Sequence, residues 1–233
     1  MDRRAFLIAT PALALTGCVS VGGAAGPPAP APVIRVGDRW VYSASDGFRV
    51  QVTWTETHEV VAMDAAGFDV RVTLEGPPRD YTRMERFTAP GIMTIGALYD
   101  NTETRHFESP VIVYQFPLTP GASWTQNLRN LDPTTGLVNQ INRFVRVGGY
   151  QQVSTPAGTF DALLMRILMH VDDNNPFRFP TECNYMVWWA PEAGAMVRQT
   201  KIATYRERGD GPEAIQIRAQ NTVIELTSFR RGG

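Results

Sequence analysis

"FDVRVTL", residues 68–74, alternates without a break: Phe68, Val70, Val72 and Leu74 are apolar, while Asp69, Arg71 and Thr73 are polar. A period of two puts successive side chains on opposite faces of a pleated strand, so this stretch is a strand with one face buried and one wet. "FRVQVTW" at 48–54 repeats the pattern, with Phe48, Val50, Val52 and Trp54 on one face. "IQIRA" at 215–219 repeats it again, but around Asn221–Val223 the phase is lost and a bulge or bend is expected. Gly and Pro clusters near 76–78, 90–91, 120–121, 156–158 and 191–194 punctuate the chain, and no long stretch keeps a 3.6-residue period. The expected fold is all-β: one curved antiparallel sheet or open barrel with little helix.

The segment "FDALLMRILMHV", 160–171, is apolar on both faces over much of its length. Leu163, Met165 and Ile167 share a face with Met169 and Val171. Such a strand is either covered on both sides in the core or lines a cavity. Trp188 and Trp189 are adjacent, so a strand sends them to opposite faces, one into the core and one outside or into a cavity. Phe177 and Phe179 sit in the Pro-flanked loop "NNPFRFP", a lid for an apolar ligand or a plug at the barrel end. These seven residues (Leu163, Met165, Ile167, Phe177, Phe179, Trp188, Trp189) are the candidate ligand-contacting set.

Three short signals occur twice in the same order. Gly-x-x-Trp precedes Trp40 and Trp124, Gly-Phe at 67–68 parallels Gly-Thr-Phe at 158–160, and turn prolines stand at Pro90 and Pro191. Two pseudo-repeat units, 33–115 and 116–233, account for this order.

The N-terminus reads as an address. Arg3 and Arg4 open the chain, an apolar run follows over 5–15, and small residues precede Cys18. Eleven residues are too few to cross a bilayer as a helix, which needs roughly 20. A basic start, a short apolar middle and a small-residue end describe an export signal, residues 1–17. Leu15-Thr16-Gly17-Cys18 resembles the lipobox of bacterial lipoproteins. That resemblance implies a thioether-linked diacylglyceride on Cys18, a further acyl chain such as palmitate after cleavage, and a membrane as the first partner. One chain anchors only marginally and two or three anchor stably. Arg3-Arg4 with Phe6 and Leu7 resembles the twin-arginine export motif, although Asp2 replaces the usual Ser or Thr. Val19 after the cysteine, where enteric lipoproteins retained in the inner membrane carry Asp, implies the outer membrane and a periplasmic outlook. Residues 18–32, rich in Pro, Ala and Gly, read as a tether without a fold of its own, leaving 33–233 as a single β domain. Pro-Ala-Gly-Thr-Phe at 156–160 and Trp-Ala-Pro at 189–191 resemble turn motifs of β-rich bacterial envelope proteins, which implies a fold and no catalytic residue.

Catalytic signals are weak. With 22 basic and 23 acidic residues the chain is nearly neutral, so it lacks the basic field a nucleic-acid partner requires. No Gly-x-Ser-x-Gly, P-loop or His-Glu-x-x-His pattern occurs, and His58, His106 and His170 form no metal-ligand spacing. Ser123 and Cys183 are the nucleophile candidates for a hydrolase, and neither has a base beside it in sequence. No cofactor is implied. The expected role is a non-enzymatic binding or interaction module in the envelope, with a protein partner. A carrier or sensor of an apolar ligand is the second reading and a hydrolase the third.

Overall fold

The computed structural model describes residues 22–47, 50–76, 80–99, 103–131, 136–172, 175–208 and 215–233. Twelve antiparallel strands follow one another as a meander: β1 Arg39–Asp46, β2 Val52–Asp64, β3 Gly67–Glu75, β4 Tyr81–Ala89, β5 Ile92–Gly96, β6 Arg105–Ile112, β7 Ser123–Leu131, β8 Val138–Thr155, β9 Gly158–Asp172, β10 Thr181–Ala190, β11 Ala195–Arg206 and β12 Gln216–Arg230. The curved sheet closes on itself because β1 pairs with β12, from Arg39 opposite Arg230 to Asp46 opposite Thr222. Closure removes both free edges.

The alternation seen at 68–74 sets the inside. Phe68, Val70, Val72 and Leu74 are buried, and the intervening Arg71 is exposed. The same holds for Trp40, Tyr42 and Ala44 on β1, with Ser43 exposed between them. Apolar-in, polar-out is the reverse of a barrel that sits in lipid, whose outer face carries the apolar band. No described helix is long and apolar enough to cross a membrane.

The phase change in the last strand has a specific cause. Ala203 pairs with Gln220 and Thr204 with Arg218, so Ala219 is bulged; Thr227 is bulged likewise against β1. The bulges flank the 221–223 stretch, and the inward set becomes Thr222, Ile224 and Leu226. In the first hairpin, Phe48 lies outside the described residues and Val50 is exposed, so the strand begins at Val52. The paired sequence signals fall on strands six apart: Trp40 on β1 and Trp124 on β7, Phe68 on β3 and Phe160 on β9, Pro90 before β5 and Pro191 before β11.

Residues 1–21, including Cys18 and the export motif, lie outside the described residues. From Gly22 onward the Pro-Ala-Gly segment is not a free tether; it docks on the barrel. Ala24 and Tyr150 exchange two backbone hydrogen bonds of 2.9 Å, and the Tyr150 hydroxyl donates to Pro27 O at 3.0 Å. Ala29, 1% exposed, exchanges two more with Leu118. The segment can do this because β8 runs past the start of β7, whose Ser123 pairs with Arg146; the turn before β7 still takes Val147, and the strap then takes the β8 edge at Tyr150. It ends at Asp38, whose carboxylate accepts from the backbone of Arg35 and Gly232 and pairs with Arg231. Residues 22–38 therefore form a strap from the β8 wall to β1, which stand five strands apart around the barrel by the shorter route.

Gly149 makes the docking possible. A Cβ there would collide with the backbone of Gly23, and the converse holds. Gly149→Ala is expected to lift the start of the strap, raising elastase cleavage within 22–32 about tenfold while moving the thermal midpoint by less than about 4 °C. Unchanged cleavage would show that the strap does not need this contact.

Candidate functional site: the barrel cavity

Twelve strands enclose more space than side chains fill, since about eight already suffice for a packed interior. The β7–β10 side is solid. Leu163, Met165 and Ile167 pack there among Ile141, Val145, Val187 and Ala203. The other side keeps a cavity of about 220 Å³ beneath the strap. Its upper wall is apolar: Pro32 and Ile34 of the strap, with Trp40, Phe68, Phe87, Phe116, Trp189 and Met196.

Its depth is ionic. The β2–β4 register sets a row of inward charges: Glu56 on β2 and Arg83 and Glu85 on β4, all 7% exposed or less. Arg83 Nε donates to Glu85 Oε1 at 2.8 Å, and its Nη2 lies 3.9 Å from Glu56 Oε1. His58 Nε2 is 2.7 Å from Glu56 Oε1, and Trp54 Nε1 donates to Glu56 Oε2 at 3.4 Å. Burial pushes the Glu56 carboxyl up, but the His58 hydrogen bond and the charges of His58, Arg83 and Lys201 outweigh it and hold the group at about 2. Opposite, Lys201 Nζ donates to Tyr99 O at 2.7 Å, and Gln220 Nε2 donates to the same oxygen at 2.8 Å. Tyr42 and Tyr114 border the same space. Burial raises both hydroxyls, Tyr114 to about 12 despite the nearby Arg143 charge, so both are neutral donors at physiological pH.

Burial lowers Arg143 to about 10, although the neighbouring Tyr114 opposes the shift. Its guanidinium still donates to the carbonyls of Ile112 and Val113, at 2.7 and 3.3 Å, where β6 gives way to the loop bearing Tyr114 and Phe116. This pins one lip of the cavity.

Only part of the candidate set reaches this space. Trp189 lines the cavity and meets Phe116 edge-on at 5.2 Å between ring centroids. Trp188 points to the outer face, donating to Gln151 Oε1 and lying under Arg198. Leu163, Met165 and Ile167 belong to the filled side, so the doubly apolar strand is core and does not border the cavity. Phe177 is 77% exposed, and Phe179 lies outside under Arg206 and Arg208. Both sit at the opposite end of the barrel from the strap, and neither lids nor plugs this cavity. The loop joins β9 to β10 at the end away from the strap, and the Arg206 and Arg208 guanidinium groups hold the Phe179 ring there.

The ionic row escaped sequence reading because Glu56 and His58 look like one wet face of a strand. One signal pointed inward: they share their face with Trp54 and Val60.

Among the nucleophile candidates, Ser123 is exposed at the start of β7. Cys183 is buried, and burial lifts its thiol to about 11 against the Tyr185 hydrogen bond and the Lys201 charge. It is protonated and unreactive at neutral pH. Among the described residues no three His, Cys, Asp or Glu side chains converge as metal ligands.

These features define a class: a closed twelve-stranded meander barrel with a half-filled interior and a strap over one end. No family model matches the chain, and no curated protein matches its sequence. Two solved structures resemble it. One, from Bacteroides fragilis, is described as an exported protein with a YmcC-like fold; it is 12% identical, with a TM-score of 0.51, over 85% of this chain and 97% of that one. The other, described as a lipoprotein from Parabacteroides distasonis, is 11% identical with a TM-score of 0.46, over 86% and 97%. The first likeness establishes the fold.

Proposed function

We propose that this chain is a non-enzymatic, lipid-anchored envelope protein, held through Cys18 in the outer membrane and facing the periplasm, whose barrel binds a small amphipathic molecule. The observation that carries this reading is the cavity itself, with aromatic and aliphatic walls above and fixed charges below. An empty hydrocarbon core needs no buried Glu56, Arg83, Glu85 and Lys201, and removing such charges from water is costly. A ligand with an apolar body and one polar group satisfies both halves. The volume lies below the roughly 300–1,000 Å³ of drug-sized sites, which suits a small molecule or one end of a longer one.

The test uses the unacylated chain from residue 19, which retains every described strand and the strap. A naphthylamine dye that brightens in apolar surroundings is expected to bind one site per barrel. Ala195→Phe, which fills the cavity at the start of β11, is expected to weaken binding at least about tenfold, as loss of a ligand-sized apolar space implies. Dye binding that is absent, or indifferent to this substitution, would remove the ligand reading.

A further inference from the structure

The strap and the acylated cysteine together fix which way the barrel points. Residues 19–23 are all the chain between Cys18 and the Gly23–Gly149 contact, and five residues extend at most about 18 Å. The strap then crosses the end of the barrel under which the cavity lies, with Pro32 and Ile34 as part of the cavity wall. The opposite loops stand farther away by the length of the strands; β10 alone has 10 residues, roughly 30 Å at about 3.3 Å each. We infer that the strap end of the barrel is a membrane-apposed surface, and that the cavity takes up its ligand from the lipid phase, as one end of a membrane amphiphile. This rests on the proposed acylation of Cys18 and deepens the ligand reading.

The surface at that end fits a bilayer. Val33, Val36 and Met63 project there at 50–66% exposure. Arg35 and Arg230 are exposed beside them, and Arg230 lies 3.8 Å from Glu59. The same end also exposes Asp64, which pairs with Arg86, and Glu192; apolar tips beside a mixed, arginine-bearing rim suit the headgroup layer of a bilayer. The far end exposes more apolar groups, Val50, Leu131, Leu137, Val138, Phe177 and Ile215 at 45–85%, so chain length and not apolar exposure decides the orientation: five residues are too few for that end to reach the bilayer that holds Cys18 while the barrel stands upright. The cavity size agrees with this source: about 220 Å³ accommodates the end of a lipid and not a whole one.

The experiment places a fluorophore at Val36→Cys or at Phe177→Cys in the acylated full-length product, reconstituted in vesicles of phosphatidylethanolamine and phosphatidylglycerol that carry headgroup-nitroxide lipid. Cys183 is buried with its thiol raised, so it does not label at neutral pH. Fluorescence at position 36 is expected to be quenched about threefold more than at position 177, as contact within the headgroup layer implies. Equal quenching, or stronger quenching at 177, overturns the orientation. Intact mass reports the acyl groups separately, and an unmodified Cys18 overturns the inference at its base. Missing dye binding in the unacylated chain would remove the ligand and its uptake from lipid, while the quenching pattern still decides the orientation.

Discussion

Glu56→Gln is expected to cost roughly 3 kcal/mol of folding stability at pH 7 and to flatten the acid limb of the stability curve. The carboxyl titrates near 2 in the folded barrel against an ordinary 4.5, and each unit of depression is worth about 1.4 kcal/mol. Because the folded value is the lower one, the contribution is complete above pH 4.5 and is lost as pH falls toward 2. The glutamine variant lacks that contribution. The difference between the two proteins, read from denaturant unfolding, should be largest near neutrality and shrink steadily below pH 4.5. The substitution also leaves the Arg83 and His58 side chains without the carboxylate at 3.9 and 2.7 Å. A gap between the two proteins that stayed constant from pH 7 to pH 3 would mean that Glu56 contributes by shape and hydrogen bonding alone.

Trp189→Ala is expected to cost about 3–5 kcal/mol, the range for removing a large aromatic side chain from a packed interior. Trp189 is 1% exposed, stands against Phe116, and separates the solid β7–β10 side from the cavity. Its removal opens the cavity toward that side. The same variant should therefore accept a bulkier dye than the parent does, provided unfolding is measured first and binding is read where the variant is folded. Trp188→Ala is the control, because its ring lies on the outer face; its cost is expected to stay below about 1.5 kcal/mol. Similar costs for both tryptophans would remove the distinction between wall and surface on which the site is built.

Much of the barrel was legible residue by residue. Phe68, Val70, Val72 and Leu74 turn inward as their alternation requires, and the Gly-Pro punctuation marks hairpins that a meander sheet needs. The site was less legible. Glu56, Arg83, Glu85 and Lys201 come from β2, β4 and β11; only Arg83 and Glu85, two apart on β4, are linked by spacing, and nothing along the chain links the three strands. They meet only because the closed sheet places β11 across the interior from β2–β4. The docking of the strap is hidden in the sequence for a related reason. A Pro-Ala-Gly run has no side-chain pattern to announce docking; it docks through backbone hydrogen bonds to Tyr150 on the part of β8 that outruns the start of β7, and to Leu118 just ahead of β7.

By itself the sequence determined that the chain is all-β and antiparallel, because strand periodicity is a local property and each alternating run carries its own instruction for which face is buried. It also set the short distance between Cys18 and the first docked residue, since chain length is counted and not folded. Tertiary structure alone decided that the sheet closes, that closure leaves a charged cavity on one side, and that the linker crosses its mouth. Those outcomes depend on the pairing of β1 with β12 and on the relative lengths of β7 and β8, quantities that bring residues distant in sequence to one place.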